Sequence, residues 1–277
     1  SSMSFRNAPI ALSLVLTVSL FACAKDADED GDDATATTTS ALQAQSQVGL
    51  VDAVTEVSGG AAPEPEEAAR IVVEQPTRDL QPEGCLTKTR EGNVVTFESN
   101  GCTGPFGKMA VYGKLVATFS KTSPDVLHVA LAAKDGATSN GAAFSYGSDT
   151  DIAFDGAVRK LTYHGHSSGT TARGRSFSRS TDLTVSVDTA AQCLTIDGAS
   201  RGTIGKYDVD LTIEGFHGCR DACPTAGVAR ATVDGPLVKD ASITVTFDGS
   251  DHADVKVHAR RDRELRVKMD CAAGEAE

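Results

Sequence analysis

Ser200 sits in Gly198-Ala199-Ser200-Arg201-Gly202, the Gly-x-Ser-x-Gly spacing of a nucleophile elbow. Acyl-transfer chemistry uses that spacing to hold a serine on a sharp strand-to-helix turn, where a downstream imidazole and a carboxylate activate it. His217 lies downstream, but Thr203-Ile204-Gly205-Lys206-Tyr207-Asp208-Val209 leads from the motif into another strand. Ser200 is therefore the weak candidate of a hydrolase reading, and no catalysis is expected.

His164-Gly165-His166 could bind a metal. Residues two apart on a strand project to the same face, so both imidazoles could reach one ion. Their parity is opposite to that of Leu161 and Tyr163, which puts them on the wet face. A third ligand would have to come from His128, His217, His252 or His258. A solvated pair of histidines accounts for the same residues, and no cofactor is expected. Arg173, Arg175 and Arg179 alternate within 171–180. That spacing puts all three on one side of a strand, either on a solvated face or toward an anion such as lipopolysaccharide. Arg260-Arg261-Asp262-Arg263-Glu264 reads as a charged hairpin turn.

The elements that must position these groups are strands. From Val94 onward apolar residues recur with period two: Met109, Val111, Leu115, Ala117 and Phe119, then Leu127, Val129 and Leu131. Leu183, Val185 and Val187 continue the pattern, followed by Tyr207, Val209, Leu211 and Ile213, and then Ile243, Val245 and Phe247. Leu265, Val267 and Met269 close the chain. Strands with one wet face mark antiparallel sheets. Asp-Gly pairs at 135–136, 155–156, 197–198, 234–235 and 248–249 read as tight turns between them. The expected fold is mainly β: a large antiparallel meander sheet of eleven or twelve strands, sandwich-like or curved. One or two short helices precede it, one from Ser40 to about Val57 and one starting near Glu64-Pro65 and stopping before Pro76.

A faint internal repeat runs through this region. Cys85-Leu86-Thr87 is echoed by Cys193-Leu194-Thr195, Val95-Thr96-Phe97-Glu98 by Leu211-Thr212-Ile213-Glu214, and Gly101-Cys102 by Gly218-Cys219. Val111 to Leu115 is echoed by Val233 to Leu237, and Thr118-Phe119 by Thr246-Phe247. The seven cysteines are Cys23 and six more, an even set suited to disulfides in an exported chain. The repeat selects Cys85–Cys102, Cys193–Cys219 and, by what remains, Cys223–Cys271. The competing pattern joins Cys219 to Cys223 and Cys193 to Cys271. A zinc reading of Cys219-x-x-x-Cys223 lacks a second close pair.

Composition excludes several functions. The chain has 277 residues and a formal net charge of -12, and phosphate binding wants clustered cations, so no nucleic-acid partner is expected. It has no Trp and only Tyr112, Tyr146, Tyr163 and Tyr207, few platforms for stacking sugars or bases. The acid is concentrated early, with 14 acidic and 3 basic residues between Ala24 and Gly84. Residues 23–40 read as an acidic, disordered tether that cannot bury apolar surface. Residues 41–84 read as a short helical segment, and 85–277 as the β domain.

The N-terminus reads as an address. Arg6 precedes the apolar run Ala8 to Phe21, and residues 1–22 have the form of a secretory signal peptide. Leu20-Phe21-Ala22-Cys23 resembles the bacterial lipobox, with Phe21 in place of the small residue usual there. In that family the cysteine is acylated and becomes the first mature residue. The resemblance implies lipidation at Cys23 and attachment to a membrane through acyl chains. Ala24 in place of Asp favours the outer membrane. Gly101 to Gly107, Cys219 to Cys223 with Pro224, and Thr244 to Ser250 resemble segments of uncharacterised cell-envelope lipoproteins. That resemblance implies a fold and a location and no activity. The expectation is a lipid-anchored protein of the bacterial cell envelope with a structural or binding role toward an unknown envelope partner or ligand. The alternative is a lipid or small-ligand carrier with an apolar cavity in a curved sheet.

Overall fold

A computed structural model describes residues 61–75, 81–103, 110–133, 138–139, 142–170, 174–220, 222–236, 238–259, 261–269 and 271. The expected signal peptide, Cys23, the acidic segment and the helix expected up to Val57 lie outside these residues.

Among the described residues one helix, α1 (Pro65–Glu74), precedes the strands β1 (Leu86–Glu91), β2 (Val94–Thr103), β3 (Ala110–Ser123), β4 (Val126–Ala133), β5 (Thr138–Ser139), β6 (Ala142–Asp155) and β7 (Val158–Thr170). The chain continues through β8 (Ser176–Asp188), β9 (Cys193–Ile204), β10 (Tyr207–Cys219), β11 (Ala226–Asp234), β12 (Ala241–Phe247), β13 (His252–His258) and β14 (Arg263–Lys268). All belong to one antiparallel sheet in which each strand pairs with its neighbour in sequence, except that two-residue β5 stands off the path against β3 and β6. The sheet is not closed; β1 and β14 are its edges. Among the described residues it has fourteen strands, more than the apolar alternation marks, because β1 (LTKTRE) and β5 (TS) carry almost no apolar residues.

The period-two pattern becomes a two-faced sheet. In β12, Ala241, Ile243, Val245 and Phe247 are buried while Ser242, Thr244 and Thr246 face the other way. On the inner face one apolar cluster gathers Val95, Ala117, Phe119, Leu127, Val129 and Ile152. A second gathers Ile196, Ile213, Phe216, Ile243, Val245 and Phe247, with the Phe216 and Phe247 rings edge to face at 5.2 Å. Val185 packs against both.

Helix α1 covers the start of the first cluster. Pro65 sits in its first turn, where a missing N–H costs nothing, and Ala68, Ala69, Ile71 and Val72 are buried toward the sheet. Lys88 of β1 donates its Nζ protons to the carbonyls of Val72 and Gln75, 3.2 and 2.8 Å away. These are end carbonyls that lack partners within the helix. Burial pulls the Lys88 ammonium below its ordinary pKa. At the other end Lys121 pairs with Glu64 at 2.7 Å.

Three disulfides join Cys85–Cys102, Cys193–Cys219 and Cys223–Cys271, the pairing selected by the repeat. The first bridges the open end of the β1–β2 hairpin and the second that of the β9–β10 hairpin. The echo of the repeat stops at these hairpins. Val111 and Phe119 belong to one strand, β3, whereas Val233 and Phe247 belong to β11 and β12.

Two expectations are corrected. Asp197-Gly198 is not a turn but lies inside β9. A Cβ at Gly198 would stand 2.3 Å from the carbonyl oxygen of Asp182 on β8, so this glycine serves a close strand approach. Arg179 is not on a solvated face. Its cross-strand partners are Ser167 and Gly202, one step along from buried Phe177, and it points inward. A polar residue in period-two spacing looks alike on either face until the register is known.

Candidate functional site

Between the two apolar clusters, two cross-strand rows on the inner face of β6 to β9 are largely polar. Cross-strand pairing aligns Ser148 with Gly165, Thr181 and Ser200 in one row, and Tyr146 with Ser167, Arg179 and Gly202 in the next. Ser148, Thr150, Ser167 and Ser200 are all buried, as is Tyr146. Small residues make the room: a Cβ on Gly165 would stand 2.0 Å from the Tyr163 hydroxyl, which lies across it.

Ser200 is the hub of this strip. Arg179 Nε donates to Ser200 Oγ at 2.5 Å, Thr181 Oγ1 lies 2.7 Å away, and Ser200 donates to the Ser180 carbonyl at 3.1 Å. A guanidinium, a hydroxyl and a carbonyl cannot take a proton from Oγ as a base would. The flanking glycines of the nucleophile-like motif face β8 in mid-strand rather than shaping an elbow. Tyr146 donates to Ser148 Oγ at 3.0 Å and its hydroxyl lies 3.5 Å from that of Tyr163. Burial pushes the Tyr163 phenol well above its ordinary pKa, reinforced by Tyr146 and opposed by Arg179. Burial lowers the Arg179 guanidinium, with Tyr163 opposing. Both shifts mark a water-poor strip, in which a cation and hydroxyl groups hold four strands in register.

The histidines occupy the outer face, where parity put His164 and His166, and both are exposed. They do not converge. His164 Nδ1 meets Asp182 at 2.6 Å across β7–β8, while the His166 ring lies over Gly147, 2.6 Å from where its Cβ would be. His128 makes its own cross-strand pairs, with Asp151 at 2.8 Å and Asp149 at 3.4 Å. His252 and His258 pair locally with Asp251 and Asp262. The cross-strand side-chain pairs among these, His164–Asp182 and His128–Asp151, support the sheet by a few tenths of a kcal/mol each, up to about 1 kcal/mol.

Cys193, His217 and Cys219 do converge. Their ligand-type atoms lie within 4.8 Å of one another. Sequence reading placed the two cysteines together but assigned His217 to Ser200 or to the His164–His166 pair and did not join it to them. The available signal was His217-x-Cys219, a spacing that puts both on one face of a strand.

Compared with protein-family models, curated proteins and solved structures, the chain matches none. Its three disulfides mark it as a protein that folds outside a reducing cytoplasm. Among the described residues, no helix is long and apolar enough to cross a membrane.

Proposed function

We propose that this chain is a lipoprotein of the bacterial cell envelope, attached through acyl chains on Cys23, whose disulfide-tied sheet has a structural or binding role. The observation that carries the non-catalytic part is the set of Ser200 partners: the residue with the most nucleophile-like spacing spends its hydroxyl on Arg179, Thr181 and a carbonyl. The lipobox-like Leu20 to Cys23 carries the anchor, and the disulfides support an oxidising compartment. Growth with a labelled fatty acid tests the anchor. The chain should take up label and sediment with membranes, and Cys23→Ala should abolish both.

A lipid or small-ligand carrier is the second reading, favoured by one observation. Arg179 and its hydroxyl neighbours lie between two apolar clusters on a single face, which suits a molecule with an anionic head and an apolar body. Displacement of a fluorescent fatty acid, compared between the natural chain and Arg179→Met, tests it. Weaker binding by the variant would support the carrier, and no saturable binding by either would exclude it for this ligand class.

A further inference from the structure

Cys193, Thr195, His217 and Cys219 form a square of neighbours on the β9–β10 hairpin. Cys193 lies directly opposite Cys219 and Thr195 directly opposite His217. Leu194 between them and the flanking Ile196 and Phe216 turn to the inner cluster, so the square is on the outer face. All four are half-buried. The Cys193 and Cys219 Cα atoms are 3.9 Å apart. His217 Nε2 lies 3.8 Å from Cys219 Sγ, and its Nδ1 lies 3.0 Å from Thr195 Oγ1.

We propose that this square is a redox-gated site for a thiophilic divalent cation such as zinc: closed while the Cys193–Cys219 bridge stands, and competent once it is reduced. Two thiolates and an imidazole are a ligand set for zinc that leaves a fourth position open. They are gathered here by the strand register, so binding requires only side-chain rotation as the sulfurs part. The Thr195 hydroxyl engages Nδ1 and leaves Nε2 turned to the sulfurs, the outer-shell support that imidazole ligands usually have. The other two bridges differ: among the described residues no histidine joins them in such a group.

The chemistry balances with a dithiol reductant. A thiolate of the reductant attacks one sulfur, the S–S bond breaks, and a mixed disulfide forms. The second reductant thiol resolves it, leaving two protein thiols and the oxidised reductant. The cation then displaces both thiol protons and accepts the lone pair of Nε2. Net uptake is one cation with release of two protons; the reverse exchange, in which the oxidised reductant accepts two electrons and two protons and returns to its dithiol, re-forms the bridge and expels the cation.

The test uses the full chain. It is treated with dithiothreitol under native conditions and freed of reductant by gel filtration, and its thiols are mapped by alkylation. Cobalt(II) is then added as a spectroscopic probe and zinc is titrated against a chromophoric chelator. The reduced chain should take up one ion, with thiolate-to-cobalt charge-transfer bands, while the oxidised chain should take up none. His217→Ala should weaken zinc binding at least about tenfold, and Thr195→Val by about tenfold or more. Cys193→Ser needs no reductant and keeps the other bridges. It should bind zinc weakly through Cys219 and His217, and lose that binding when His217→Ala is added. Any of three results overturns the proposal: a Cys193–Cys219 bridge that stays closed to reductant in the folded chain, mapped free thiols at both positions without metal uptake, or uptake unchanged by His217→Ala.

Discussion

Arg179 and Ser200, 21 residues apart in sequence and on adjacent strands, are joined by a 2.5 Å hydrogen bond from the guanidinium Nε to the serine oxygen. The contact ties β8 to β9 within the water-poor strip between two apolar clusters. It also explains why the most enzyme-like motif in the chain reads as architecture.

Ser200→Ala should therefore cost stability. Losing the hydroxyl removes the acceptor of the half-buried Arg179 Nε and the partner of Thr181 Oγ1, a loss of roughly 1–3 kcal/mol. Urea unfolding followed by circular dichroism measures it. A midpoint unchanged from the natural chain would mean that the network carries no stability.

Gly202→Ala probes the close approach of the same two strands. A Cβ at that position would stand 2.3 Å from the Ser178 carbonyl oxygen and 3.0 Å from the Arg179 Cα. These are backbone atoms that cannot rotate away, so strand separation should cost roughly 1–3 kcal/mol. Thermal melting of the variant beside Gly92→Ala, a turn glycine with nothing within 4 Å, separates crowding from backbone conformation. Crowding predicts the larger loss at Gly202.

Replacing Cys223 and Cys271 together by Ser opens a bridge spanning 48 residues. The loop-entropy account assigns such a bridge about 4 kcal/mol, more than the 26-residue span of Cys193–Cys219. Denaturant midpoints of the two double variants should fall in that order. The reverse order would show that strain or residual structure outweighs loop length.

Asp248 gives a pH test. Its carboxylate accepts from Ser250 in the β12–β13 turn, including the backbone N–H at 2.9 Å, and these hydrogen bonds hold its pKa below the ordinary carboxylate value. A lowered folded-state pKa contributes stability above the unfolded-state value, and that contribution is lost as pH falls through the folded-state value. The natural chain should exceed Asp248→Asn in stability at neutral pH and converge with it in acid. A difference that persists at low pH would assign the effect to something other than the carboxylate charge.

The sequence carried the period-two alternation and the even cysteine set, both local signals, and from them the antiparallel sheet and the bridges were legible. Cys193 and Cys219 followed from the hairpin echo. Arg179 was not legible as an inward residue, because its burial depends on which residues of β7 and β9 lie beside it, and register is a property of three strands together. Asp197-Gly198 resembled a turn for a related reason: the glycine is required by a carbonyl of β8, invisible along β9 itself. His217 needed both its own parity and the facing cysteine to stand out.

Mass spectrometry of the N-terminal peptide, from the full-length protein expressed in a bacterium and extracted from its envelope, tests the central claim most directly. The account predicts a mature chain that begins at Cys23 and carries acyl chains on that residue. A mature chain that retains residues before Cys23, or one in which Cys23 is unmodified, would contradict it.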